Sequence, residues 1–302
     1  MDNNNFQSPK NNALALMFLP CAVYYFIFDY IPMGGLMIAF KDYSIRDGIL
    51  GSSWVGFQHF EMLFGGTEFL MVIKNTLLIS IIKIILGFLA PVVFAVLLNE
   101  IRIGFLTKGF QSLSLLPYLF SWVILASIFR LIFSNSGPAN EIISWIGVDK
   151  PINWLSDDFW FIVVIIFTDI WKGIGIGAII YMASIAAIPI ELYKAAKIDG
   201  ANRFQQIFYI TLPQLKPTMI TLLILSMGGF LSAGFDQIYN MYNPLVYDVA
   251  DIIDTYVLRM LTNLNFEIAT AAGMFKSVVA VILIMISNSI SKRLTQGEQG
   301  LY

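Results

Sequence analysis

The feature that most constrains this chain is a succession of apolar runs, each long enough to cross a lipid bilayer. A hydrocarbon core takes about 20 consecutive, mostly apolar residues per helix. Six windows meet that requirement, from Ala13 to Ile31, Thr76 to Leu98, Phe110 to Phe133, Phe159 to Met182, Thr218 to Phe235 and Ile268 to Ile290. Composition agrees: 58% of the residues are hydrophobic and 13% charged, against about 25% charged in soluble domains. In lipid every backbone N–H and C=O must be satisfied inside the segment that carries it. The expected fold class is therefore all-α integral membrane, with six transmembrane helices.

The first run reads as a retained anchor rather than a secretory signal. Its only preceding basic residue is Lys10, no small-residue cleavage site follows, and the run is long enough to span. An even number of spans puts both termini on one side. That side holds Lys10, Arg102, Lys108, Lys194, Lys197, Arg203, Lys216, Lys292 and Arg293, whereas the other holds Lys41, Arg46, Lys150 and Arg259 among many acids. By the excess of Lys and Arg, the side with the termini is cytoplasmic. The expected organisation is a tail over 1–12, one six-span domain over 13–290, and a tail over 291–302.

Between the fourth and fifth runs lies "IPIELYKAAKIDGANRFQQIFYITLPQLKP", residues 188–217, a polar interruption on the cytoplasmic side. Pro189 suits a first helical position, where its missing N–H goes unneeded, and Glu191 in the first turn favours the positive end of the helix dipole. Gly200 fits the position just past the end, where a left-handed backbone is needed. A second helical pattern, with Phe204, Ile207 and Phe208 at helical spacing, runs until Pro213 and Pro217 stop it. The reading is helix, glycine turn, helix, with the small pair Ala195 and Ala196 offering close approach. Two roles fit: a docking module, or an amphipathic pair lying at the membrane interface.

The stretch closely resembles the signature loop of permease subunits of binding-protein-dependent ABC importers, whose pattern is Glu-Ala-Ala, three residues, Gly, nine residues, then Ile, any residue, Leu-Pro. Ala195, Ala196, Gly200, Ile210, Leu212 and Pro213 fall on that spacing, and Asp199 with Ala201 completes a "DGA". The family's Glu is replaced by Lys194, which leaves the charge at that contact to be altered, to be supplied by Glu191, or to be supplied only by the companion permease. "YIPMGGLMIAFKDY", "GSSWVGFQHFEMLF" and "GFDQIYNMYNPLVYDVADIIDTYVLRM" extend the resemblance to the carbohydrate branch, and within it to permeases for oligosaccharides and polysaccharide fragments.

The resemblance implies a type I ABC importer permease fold with a cytoplasmic coupling helix-turn-helix over 189–213. It implies Glu191, Lys194, Ala195, Ala196, Asp199, Gly200 and Ala201 as the ATPase-coupling residues. The partners it implies are a second homologous permease, a cytoplasmic ATPase dimer, an extracellular substrate-binding lipoprotein and a carbohydrate cargo, in a bacterial plasma membrane. No cofactor is expected on this chain, and ATP and Mg belong to the partner ATPase. No phosphate-binding loop of the Gly-x-x-x-x-Gly-Lys-Ser/Thr type occurs in the chain itself. It is expected to be a transport subunit and not an enzyme.

Other residues are weighed against plainer roles. His59 is a lone loop histidine, Cys21 a lone cysteine within the first run, and neither completes a metal site or a nucleophile pair. A net charge of −2 argues against nucleic acid. "GIGIG", Gly173 to Gly177, reads as small residues for close helix packing. Charges within spans are costly unless paired or facing water. Asp169 and Lys172, three apart, are expected to neutralise each other beside Trp171, as a staple or as substrate contacts. Lys83 and Lys276 need partners, and Arg130 is expected to snorkel outward.

Around the outer end of the fifth run, Asp236, Gln237, Tyr239, Asn240, Tyr242 and Asn243 read either as a sugar-contacting set or as a capped turn with interfacial tyrosines. Trp54, Trp145 and Trp154 are candidate anchors for a docking protein. Two alternatives stay open: the same machinery with a cargo such as amino acids or peptides, and an ion-coupled secondary transporter using Asp169, Lys172 or Lys276 as a relay.

Overall fold

A computed structural model describes residues 9–294 apart from Arg102, Asp149 and Gly228. The tail segments 1–8 and 295–302, and Arg102 among the basic residues used for orientation, lie outside the described residues. The chain forms two compact units, one from 1–65 with 259–274, the other from 66–258 with 275–302.

In the smaller unit, α1 (Pro9–Tyr25) continues through a π turn at Phe26–Tyr30 into a 3₁₀ stretch at Ile31–Phe40. Residues 15–40 form a span-length apolar helix that is exposed along most of its length until Ala39, which is buried, as a lipid-facing segment requires. Two short strands, β1 (Lys41–Asp42) and β2 (Ser53–Trp54), pair antiparallel with Lys41 opposite Trp54. Lys41 is buried and donates to the carbonyls of Ile49 at 2.7 Å and Leu50 at 3.3 Å, closing the loop between the strands. The helix α2 (Gln58–Gly65) carries His59. That histidine is buried, and its Nε2 donates to the Lys41 carbonyl at 3.0 Å. A structural brace therefore replaces the loop residue expected from sequence.

The larger unit is built on long helices. These are α3 (Thr67–Glu100), the pair α4 (Gly104–Leu119) and α5 (Trp122–Ile132), a short α6 (Pro138–Trp145), and α7 (Asp158–Ala186). Then come α8 (Ile190–Ile198), α9 (Leu212–Met227) and α10 (Phe235–Met241), followed by α11 (Ile253–Thr262) and α12 (Phe266–Leu294), whose residues 259–262 and 266–274 belong to the smaller unit. Among the described residues five helices are long and apolar enough to span, and α4 with α5, bent by 104° between them, meet that test as a pair. The third apolar run is thus broken. Pro117 removes a backbone donor in the last turn of α4, Phe120 turns extended, and the Ser121 side chain caps the new start.

The fifth run is also corrected. Instead of continuing to Phe235, the helix ends at Met227 and a 3₁₀ turn follows at Phe230–Ser232. Ala233 and Gly234 then adopt left-handed backbone, with φ of 48° and 78°, before α10 turns away. Unwound backbone at membrane depth is tolerated only where protein or water satisfies it. Here α10 packs Ile238 and Met241 into a core with Leu125 and Phe129 of α5 and Ile165 of α7.

The small residues of "GIGIG" act as expected. A Cβ on Gly175 would lie 2.2 Å from the Ser114 carbonyl oxygen of α4, and one on Gly177 would lie 2.8 Å from the Pro91 ring of α3. Both helices approach α7 closely because it lacks side chains at those two positions.

At one end of the bundle Asn140 holds the connection between α6 and α7. Its Nδ2 donates to the carbonyls of Ser134, Asn135 and Ile152, while its Oδ1 accepts from the Ile152 N–H at 2.9 Å and from the Trp154 indole at 3.0 Å. Trp154 is buried in that core, which corrects its reading as a docking anchor, whereas Trp145 is 82% exposed. Changing Asn140 to leucine leaves two buried donors without acceptors, at about 1–3 kcal/mol each. The melting temperature of the purified permease is expected to fall by several degrees, while Trp145→Ala leaves it unchanged, read by intrinsic fluorescence in detergent.

Candidate functional site

The loop between α7 and α9 folds as a capped helix-turn-helix. Pro189, expected as the first helical residue, serves instead as the N-cap of α8, with φ −57° and ψ 127°, and the helix starts one position later. At the other end the Gly200 N–H bonds the Lys197 carbonyl at 3.2 Å and the Ala201 N–H bonds the Ala196 carbonyl at 2.8 Å. That double closure needs the left-handed φ of +82° that Gly200 supplies. Asn202 then caps the next turn, Arg203–Gln206, by a reciprocal box with Gln205.

Pro213 and Pro217 do not stop this second helix, contrary to the sequence reading. A π turn at Ile207–Thr211 widens the backbone just before Pro213, where the Leu212 N–H reaches back to the Ile207 carbonyl. The wider turn makes room for the proline ring, so the helix bends and continues through Pro217.

One tie joins the loop to the bundle and another braces the loop itself: Arg203 forms an ion pair with Glu100 at the end of α3, and the Tyr193 hydroxyl hydrogen-bonds Thr211 of the π turn at 2.9 Å. The outward surface is apolar for a polar loop: Ile198 is 87% exposed and Ile190 60%, and Phe204, Phe208 and Tyr209 are exposed as well. Glu191, Lys194, Ala195, Asp199 and Gly200 are exposed too, while Ala196 and Ala201 are half-buried. A shallow cavity behind the turn, about 250 Å³, is lined by Ala196, Asp199, Gly200, Ala201, Gln206 and Tyr209 among others.

The second cluster sits among the spans. Lys83 of α3 is buried and donates to the Ala233 carbonyl at 3.0 Å and the Gln237 side-chain oxygen at 2.5 Å, and it pairs with Asp169 of α7 at 3.5 Å. Gln237 is fully buried and its amide nitrogen donates to the Ile165 carbonyl and the Thr168 hydroxyl. Its amide is committed on both sides, which removes it from the set of sugar contacts. Asp169 and Lys172 do not form the expected intrahelical pair. Asp169 pairs with Lys83, and the Lys172 ammonium lies 4.5 Å from the centroid of the Trp122 ring.

Other expectations are redistributed. Lys276 pairs with Asp254 of α11, its two contacts at 2.5 and 2.6 Å. Arg130 is exposed and donates to the Asn240 carbonyl at 2.5 Å. Asp236 and Tyr239 stay exposed on α10, with Tyr239 stacked on Phe235, and the Asn240 amide turns back to the Asp236 carbonyl. The Asn243 side chain bonds the Leu155 carbonyl and caps the following turn, as the capped-turn reading expected. Trp171 packs edge-on against Phe129.

Asp169, 32% exposed at its side chain, opens onto a cavity of about 360 Å³ between α3, α7 and the unwound segment. Phe88, Tyr181, Ser226 and Phe230 line it with Ser80. Sequence reasoning missed these residues because each is ordinary in an apolar span. The paired "GG" and "AG" at 228–229 and 233–234, which punctuate the fifth run, were the available signal that its helix breaks there.

A bundle of spans with a braced helix-turn-helix between two of them defines a permease component of an ABC-type importer. The family described as binding-protein-dependent transport system inner membrane component matches residues 92–296, and the chain belongs to it. It is a multi-pass membrane transport subunit, not an enzyme. Over 291 residues it is 42% identical to the polygalacturonan/rhamnogalacturonan transport system permease protein YteP of Bacillus subtilis, covering 96% of this chain and 90% of that one. It is 41% identical over 295 residues to the protein LplB of the same organism, covering 97% and 92%. Among solved structures, a chain of a bacterial alginate ABC transporter, in complex with an alginate pentasaccharide-bound periplasmic protein, superimposes with a TM-score of 0.87. That chain is 37% identical, with 97% of each chain covered.

Proposed function

We propose that this permease pairs with a second, homologous permease to enclose a pathway for oligosaccharides or glycan fragments, delivered by an extracellular binding protein. Cytoplasmic ATPase subunits, which hold ATP and Mg, dock on residues 189–213 and drive the transport cycle. Both termini face the cytoplasm of a bacterial plasma membrane. The names of the relatives, which concern polygalacturonan, rhamnogalacturonan and alginate, favour fragments of acidic polysaccharides as cargo. Tests of oligogalacturonides against neutral oligosaccharides and peptides, as ligands of the cognate binding protein, separate that cargo from the others.

The observation that carries the coupling role is the combination of an exposed apolar surface with ties to the bundle. Ile198 and Phe204 are set for burial by a partner, while Arg203 with Glu100 joins the loop to the end of α3 and Tyr193 with Thr211 ties α8 to the π turn that leads into α9. A push on α8 is thereby passed to the spans. For the pathway, Asp169 offers a carboxylate to sugar hydroxyls within a cavity that also presents the rings of Phe88, Tyr181 and Phe230. Trp171, Lys172, Asp236, Tyr239, Asn240 and Lys276 remain in the proposed pathway set on weaker grounds.

The test is at Gly200. The Cβ of a valine there meets no neighbour within 4 Å, so the left-handed backbone is the first thing the substitution strains. The left-handed conformation costs a β-branched residue about 1–2 kcal/mol and opens the double closure of the turn. Uptake and transport-stimulated ATPase activity are expected to fall together by at least about fivefold, and deletion of 194–200 abolishes both in a correctly inserted complex. Survival of both activities in the deletion overturns the coupling role.

A further inference from the structure

Ile190, Lys194 and Ile198 stand four residues apart and so form one stripe along α8. Both isoleucines are exposed, and Lys194 between them is exposed without an ion pair among the described residues. Glu191 and Asp199, the acids on the same short helix, do not pair with it, and Lys197 one turn on adds a second positive charge. Arg203, the other basic group of the loop, is already taken by Glu100.

A partner that buries the two isoleucines also strips water from the ammonium between them. A desolvated charge is tolerated only beside an opposite charge. We infer that the ATP-hydrolysing partner presents a carboxylate to Lys194, set within an apolar rim that receives Ile190 and Ile198. This rests on the docking role proposed above and adds the sign of the charge that the partner must carry. A lipid surface fits less well. A helix that binds anionic lipid carries a basic excess, whereas here Glu191 and Asp199 balance Lys194 and Lys197.

The assembled complex of this permease, its companion permease and the ATPase, captured through the permease in nanodiscs, tests the inference. The variants are Lys194→Glu, Lys194→Gln and Ile198→Asp, and the readout is ATPase retained as NaCl is raised, with retention of the companion permease as the check on folding. Lys194→Glu is expected to lower ATPase retention about tenfold at low ionic strength and Lys194→Gln by less, with both differences shrinking as salt screens the contact. Ile198→Asp also releases the ATPase. If Ile198→Asp releases it while Lys194→Glu binds as the parent does, the carboxylate is overturned and docking stands. If none of the variants releases it, the docking role itself falls. If Lys194→Glu responds only to the anionic lipid content of the nanodisc, the stripe is a lipid contact and the inference fails.

Discussion

Replacement of Lys83 by methionine is expected to abolish uptake and to lower the melting temperature of the permease more than any single exposed-residue change. Three groups depend on that ammonium: the Ala233 carbonyl, the Gln237 side-chain oxygen and the Asp169 carboxylate. Ala233 and Gly234 occupy left-handed backbone where the fifth span has come apart, and there the Ala233 carbonyl accepts from Lys83. A Cβ on Gly234 would lie 2.4 Å from Lys83 Nζ, so any side chain there displaces the ammonium from its partners. Removing one partner of a buried ion pair costs about 3–5 kcal/mol, since the other charge is left uncompensated.

The double variant separates the charge from the packing. Asp169→Asn alone leaves the buried Lys83 ammonium without its carboxylate, so it too is expected to lower the melting temperature, by less than Lys83→Met because the Ala233 carbonyl and the Gln237 side-chain oxygen still accept from Lys83. Combined with Lys83→Met it removes the orphaned carboxylate and recovers part of the lost stability, although the Ala233 and Gln237 acceptors stay unmet. Thermal melting of the four proteins gives the coupling directly. Equal melting temperatures for Lys83→Met and the parent, with uptake intact, would show that the unwound segment holds itself.

The contrast between what the residues announced and what they concealed is clearest at this cluster. The spans were legible because a bilayer imposes a length on every apolar run, and the loop was legible because Gly200 can be read for its backbone. Hydropathy carries no direction, however, so the 104° bend between α4 and α5 and the early end of α9 left no trace in the apolar windows. The charges were legible as needing partners but not as to which. Local spacing pointed Asp169 at Lys172, whereas its partner Lys83 lies 86 residues away in sequence. Only the packing of α3 against α7 decides that choice. The prolines misled for a related reason: Pro213 and Pro217 break an isolated helix, but a π turn in the preceding residues lets this one pass them.

That packing yields the other large expected effect. Gly175→Ala is expected to be severely destabilising and to abolish uptake, although it adds a single methyl group. The new Cβ would meet the carbonyl carbon and oxygen of Ser114, at 2.5 and 2.2 Å, and a helix backbone cannot swing aside as a side chain can. Either α4 moves off α7 along its length or the variant fails to assemble, and overpacking of this kind costs about 1–3 kcal/mol or more. Gly177→Ala meets the Pro91 ring at 2.8 Å, where a small shift of the pyrrolidine relieves part of the contact, so its loss should be intermediate. Gly173→Ala meets nothing within 4 Å and is expected to be silent or slightly stabilising, because alanine favours the helix over glycine by about 1 kcal/mol. Three identical chemical changes within five residues thus have three different outcomes, ranked by what each methyl would touch. Melting temperature and uptake measured across the series check the ranking, and a Gly173 variant as impaired as the Gly175 variant would mean that general flexibility of α7, not its close approach to α4, is what the glycines provide.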